Sequence, residues 1–258
     1  IYVLVWDSHG GQKVQLACIE EATQSLVWRT TIVQAGQSKD IIGNLEKARD
    51  VTRTFGNRIT LKGGAIFANT NAGLIARCDP RDGRPDWIHY YNNSTPSAGN
   101  GALGSAPIVT DDLVICMTRD SGKIFALDTE TGRLVWENSL MLGVECLGLF
   151  EESLLIRGQF SLAALELKTG NPIWYTKVPD RTVGRSHMVG SSVYMADTKK
   201  ITEFDARSGN IINSREWDPI ASPPLSYLIH ENSLYVIGDK PAPGNGPLHQ
   251  VPLHSGQR

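Results

Sequence analysis

The 258-residue sequence lacks the features that mark several large functional classes. No run approaches the roughly 18 to 20 apolar residues that span a bilayer, so no transmembrane segment is predicted. Lysine and arginine number 25 against 27 acidic residues, which gives a formal charge of −2. Because proteins that bind nucleic acid carry an excess of positive charge, nucleic acid is not expected as a partner.

Paired cysteines and the common catalytic motifs are also missing. There is no C-x-x-C, no adjacent cysteine pair, no G-x-S-x-G, no H-E-x-x-H and no P-loop. The pattern favours buried structural thiols over disulfides at the four cysteines, Cys18, Cys78, Cys116 and Cys146. Among the histidines only His249 and His254 lie close together, and an exposed terminal strand is a simpler interpretation of that pair than a metal site.

A repeated motif is the main positive signal. Residues 124–136 read IFALDTETGRLVW, in which an apolar strand leads to Asp128, a turn reaches Gly132 four residues later, and Trp136 follows four residues beyond. Two more copies keep this spacing. One consists of Asp79, Gly83 and Trp87, and the other, which has glutamate at the position of the aspartate, consists of Glu166, Gly170 and Trp174. Weaker copies start at Glu20 (with Trp28), Asp205 (with Gly209) and Pro252.

The spacing of the tryptophan positions predicts the size of the unit. Positions 28, 87, 136, 174 and 213 are separated by 59, 49, 38 and 39 residues, so the basic unit has about 40 residues, with insertions in the early copies. Apolar stretches of four to eight residues between turn signals indicate strands. In the best copy we predict Ala106–Thr110, Leu113–Thr118, Lys123–Leu127 and Arg133–Glu137.

The segment from Ala126 to Trp136 resembles the quinoprotein-like repeat family, whose A-x-D-x-x-T-G-x-x-x-W signature is called the tryptophan docking motif. The resemblance implies an all-β fold, a β-propeller of four-stranded antiparallel blades. About five to six blades are expected here, as one domain over 1–258 or as a fragment of a seven- or eight-bladed propeller. The units are expected to end near Trp28, Trp87, Trp136, Trp174, Asn213 and Arg258.

In this family the tryptophan packs between neighbouring blades, so the motif residues are expected to be structural anchors. They are Asp79, Gly83, Trp87, Asp128, Gly132, Trp136, Glu166, Gly170, Trp174, Asp205, Gly209 and Trp28. Asn213 occupies a tryptophan position and is expected to weaken one blade junction.

The family contains dehydrogenases that bind pyrroloquinoline quinone and calcium, and also non-catalytic scaffolds such as the outer-membrane assembly scaffold BamB. This chain has no Cys-Cys pair, and its recurrent aspartates occupy turn positions. We therefore expect a scaffold of the bacterial envelope or periplasm, with no catalytic, cofactor or metal residues. The alternatives are a quinone-dependent dehydrogenase, with pyrroloquinoline quinone and calcium, and the ligand-sensing ectodomain of a signalling protein.

Propellers bind ligands through the loops that connect their blades, so long insertions are candidate binding sites for a protein or a small molecule. One insertion runs from Tyr90 to Gly104, and Val33 to Thr54 is the other candidate. In the first, the side chains typical of interfaces are Tyr90, Tyr91, Asn92 and Asn93.

Overall fold

The computed structural model describes residues 1–7, 13–34, 58–70, 73–92, 105–118, 121–139, 143–158, 160–178, 184–197, 199–216, 224–230, 233–238 and 248–252. Over these ranges the regular secondary structure consists of β-strands that form six sheets. Within the same ranges, no helix is long and apolar enough to cross a membrane.

The first three sheets contain the following strands. Sheet 1 contains β1 (Tyr2–Asp7), β2 (Lys13–Ile19) and β3 (Leu26–Gln34). Sheet 2 contains β4 (Arg58–Lys62), β5 (Ala65–Asn69), β6 (Leu74–Cys78) and β7 (Pro85–Tyr90). Sheet 3 contains β8 (Ile108–Val109), β9 (Leu113–Thr118), β10 (Lys123–Asp128) and β11 (Leu134–Asn138).

The other three sheets follow in the same manner. Sheet 4 contains β12 (Gly143–Phe150), β13 (Ser153–Gly158), β14 (Ser161–Glu166) and β15 (Pro172–Lys177). Sheet 5 contains β16 (His187–Val189), β17 (Ser192–Ala196), β18 (Lys200–Asp205) and β19 (Ile211–Glu216). Sheet 6 contains β20 (Pro224–His230), β21 (Ser233–Gly238) and β22 (Leu248–Pro252).

Neighbouring strands of each sheet are consecutive in the chain, and the pairs whose registers are described are antiparallel. The expectation of four-stranded antiparallel units is confirmed for sheets 2 to 5. The four strands predicted for the best copy match β8 to β11 to within two residues at their ends.

The chain divides into two compact units. The first contains Ile1–Val144 with Lys168–Gly170, and the second contains Glu145–Leu167 with Asn171–Arg258.

The second strands of sheets 2 to 5, namely β5, β9, β13 and β17, are buried along their whole length, which explains their largely apolar sequences. On β5, Ile66 and Ala68 belong to the core cluster that includes Val14 and Leu16 of sheet 1, whereas Phe67 belongs to the cluster of sheet 3. Successive residues of a strand point to opposite faces, so a strand that has a sheet on each side needs apolar residues at every position. Sheets 4 and 5 share a similar cluster in the second unit.

A β-bulge recurs in five sheets. It lies between the third and fourth strands of sheets 2 to 5 and between the second and third strands of sheet 1. In sheet 3 the pairing passes from Ala126 opposite Trp136 to Leu127 opposite Leu134, so Val135 is the extra residue. Equivalent shifts occur after Cys18, Arg77, Ala164 and Glu203. A bulge increases the local twist and bends the strand. The conserved spacing of the motif therefore corresponds to one repeated backbone geometry.

The turn of each motif requires a residue with positive φ. Gly83, Gly132, Gly170 and Gly209 have φ between 67° and 75°. In the first copy Gln24 takes this place with φ of 53°. The left-handed region costs an ordinary residue about 1–2 kcal/mol. The first copy thus keeps the same turn geometry, but Gln24 carries a backbone energy penalty that glycine avoids.

Each of these glycines lies against the tryptophan of the preceding copy. A Cβ built on Gly132 would be 2.6 Å from ring carbons of Trp87, and one on Gly170 would be 2.5 Å from the ring of Trp136. The Trp28 ring covers Gly83, and the Trp174 ring covers Gly209 in the same way. Only a residue without a side chain allows this approach, so glycine is required for both space and backbone conformation.

We predict that Gly132→Ala destabilises the first unit much more than Gly63→Ala does. Both positions have positive φ, but nothing lies within 4 Å of a Cβ at Gly63. The backbone penalty of about 1–2 kcal/mol should be common to both variants. Displacing Trp87 should add about 1–3 kcal/mol for Gly132→Ala. Urea unfolding followed by circular dichroism measures both, and equal losses of unfolding free energy would contradict the assignment.

Candidate functional site

The motif aspartates are engaged by their own turns. Asp128 Oδ1 accepts hydrogen bonds from Thr131 N at 2.7 Å and Thr131 Oγ1 at 2.6 Å. Asp205 Oδ1 accepts the equivalent pair from Ser208, at 2.7 and 2.9 Å. Asp79 is held by the backbone N–H and the guanidinium of Arg81. These carboxylates therefore stabilise turns.

Their acidities agree with that role. The hydrogen bond from the Arg81 side chain is the main cause that lowers the pKa of Asp79 to about 2. Hydrogen bonds from the side chains of Thr131 and Ser208 lower the pKa values of Asp128 and Asp205. A general base works best when its pKa lies near the working pH, so these three groups are poorly suited to proton transfer at neutral pH.

A second contact between sheets was missed by the sequence analysis. In three copies, the residue two positions after the tryptophan hydrogen-bonds to the backbone of the turn that the tryptophan covers. Asn138 Nδ2 donates to Gly170 O at 2.9 Å, and Thr176 Oγ1 donates to Gly209 O at 2.8 Å. Thr30 Oγ1 donates to Asp82 O in the same way. A polar residue two positions after each tryptophan was the available sequence signal.

The contact between sheets 2 and 3 is reinforced by Arg77 of β6. Its Nη1 atom donates to Thr129 O at 3.1 Å and pairs with Glu130 Oε2 at 2.7 Å. The indole Nε1 of Trp87 donates to the same Thr129 carbonyl at 3.0 Å. Two side chains from one sheet thus hold the motif turn of the next.

Asn213 occupies the tryptophan position of sheet 5, and a different set of contacts joins sheet 5 to sheet 6. Tyr227 Oη donates to Tyr194 O at 3.0 Å, and both tyrosines lie in a buried cluster with Ile201 and Val236. His187 Nε2 lies 3.2 Å from Tyr227 O. This junction is therefore built from tyrosine and aliphatic side chains.

The predicted binding loop is only partly available for contact with a partner. Tyr90 at the end of β7 is 53% exposed, and Asn92 is exposed. Tyr91 is buried, and its ring centroid lies 5.0 Å from that of Phe125. The idea that Tyr91 offers a surface contact is corrected, because its ring completes the core between sheets 2 and 3. Asn93 and most of the Val33–Thr54 insertion lie outside the described residues.

A buried charged pair in the second unit was not foreseen. Glu145 and Arg157 are 4% and 6% exposed, and Arg157 Nε lies 3.9 Å from Glu145 Oε2. Ser186 N donates to that carboxylate at 3.0 Å, and Ser186 Oγ accepts from Arg157 Nη1 at 3.4 Å. Buried charges are tolerated when they are paired. This cluster ties the segment before β16 to β12 and β13.

Within the described ranges, no three His, Cys, Asp or Glu side chains converge to hold a metal ion. All four cysteines are free thiols. Burial raises the pKa values of the Cys78 and Cys146 thiols to about 12, which leaves little thiolate at neutral pH.

Consecutive four-stranded antiparallel sheets joined by tryptophan and glycine define the chain as a blade-repeat protein. It belongs to the family described as outer membrane protein assembly factor BamB, whose model matches residues 3–145, more than half of the chain. No curated protein matches it.

Solved structures support the same fold. BamB from Moraxella catarrhalis aligns with a TM-score of 0.57 and 18% identity, over 98% of this chain and 72% of that chain. The computationally designed Ika8 protein aligns with a TM-score of 0.60 and 11% identity, over 97% of this chain and 68% of that chain. The similarity to BamB confirms the β-propeller fold class that the repeats predicted.

For the buried pair we predict that Arg157→Met lowers the unfolding free energy of the second unit by about 3–5 kcal/mol, because Glu145 is left buried without a counter-ion. Adding Glu145→Gln should recover much of this loss, since an amide oxygen can still accept from Ser186 N.

An exposed pair in the same unit serves as the control. Arg207 and Glu151 have side chains that are 71% and 55% exposed, so Arg207→Met should cost no more than about 1 kcal/mol. Chemical unfolding of Arg157→Met, Glu145→Gln, their double variant and Arg207→Met tests the difference. If the Arg157 and Glu145 substitutions simply add, the two groups are not a coupled pair.

Proposed function

We propose that this chain is a non-catalytic β-propeller scaffold of the bacterial envelope, located in the periplasm, that holds a protein partner through the segments connecting its blades. The relative BamB is named as an outer membrane protein assembly factor, and we propose a part in the same process for this chain. Pyrroloquinoline quinone and calcium are not part of the proposed activity.

One observation carries the proposal: the acids of the repeated motif are used by the turns. Asp79, Asp128 and Asp205 each accept hydrogen bonds from the residue two or three positions later. The tryptophans and glycines that follow them are used in contacts between sheets, and we propose that these contacts act as tryptophan docking. These contacts give the aspartate, glycine and tryptophan of the motif structural roles, and this supports a non-catalytic function.

Binding capacity is expected where polar and aromatic groups are exposed beside a long connection. Tyr90 combines an exposed ring with a hydroxyl group, which suits a protein interface. It stands at the end of β7, directly before the connection that leads to sheet 3. Asn92 follows on the same connection and is also exposed.

A cofactor titration tests the non-catalytic part of the proposal. Melting temperature and quinone absorbance are followed while pyrroloquinoline quinone and calcium are added to the full-length protein. We expect no saturable change at cofactor concentrations well above micromolar. A saturable rise in melting temperature, which binding to the native state produces, would favour a dehydrogenase.

Site-specific cross-linking tests the binding surface. A photoreactive phenylalanine analogue replaces Tyr90 in the full-length protein produced in its own bacterium, and the control replaces Tyr175. Tyr175 is 61% exposed on β15, so both probes are accessible. We expect a discrete adduct with an envelope protein from position 90 only. Equal adducts from both positions, or none from position 90, would contradict this choice of surface.

A further inference from the structure

We draw no further inference here: the strongest candidate, the exposed apolar patch on the outer strands β15 and β19, where Ile173, Ile211 and Ile212 are 56%, 60% and 54% exposed, carries none because nothing in the structure shows what covers it.

Discussion

The close approach of an indole ring to a glycine in the next motif turn is the constraint on which the structure depends. Trp87 lies where a side chain at position 132 would have to be, so the ring and the missing side chain are two parts of one contact. The glycine must also have positive φ, which fixes the turn and the strand that follows it. Each motif therefore fixes a turn in its own sheet, and its glycine contacts the tryptophan of the preceding sheet.

Much of the fold could be read from the sequence because this contact repeats. The spacing of Asp128, Gly132 and Trp136 predicts a turn between two strands, and apolar stretches predict the buried strands around it. The departures were less predictable. Gln24 keeps the glycine conformation, and Tyr227 with Tyr194 forms the junction where Asn213 replaces a tryptophan. Both features depend on tertiary packing, which the local sequence pattern does not indicate.

The candidate site was likewise only partly predictable from the sequence. The sequence pointed to an exposed tyrosine pair, but only Tyr90 is exposed, because the Tyr91 ring packs against Phe125. The pairing of Glu145 with Arg157 could not be predicted, since it depends on how β12, β13 and the segment before β16 meet. Polar groups that the motif provides are used inside the scaffold. The proposed binding surface therefore lies in the connections, which can carry insertions without disturbing the repeated contact.

A double-mutant cycle between Trp87 and Gly132 tests the central claim most directly. Unfolding free energies are measured for Trp87→Leu, Gly132→Ala and the double variant, with Gly63→Ala in place of Gly132→Ala as the parallel cycle. If the ring and the glycine form one contact, Gly132→Ala should cost at least about 1 kcal/mol less in the Trp87→Leu background, whereas Gly63→Ala should cost the same in both. Additive losses in the first cycle would show that the indole and the glycine act independently, and would contradict the account.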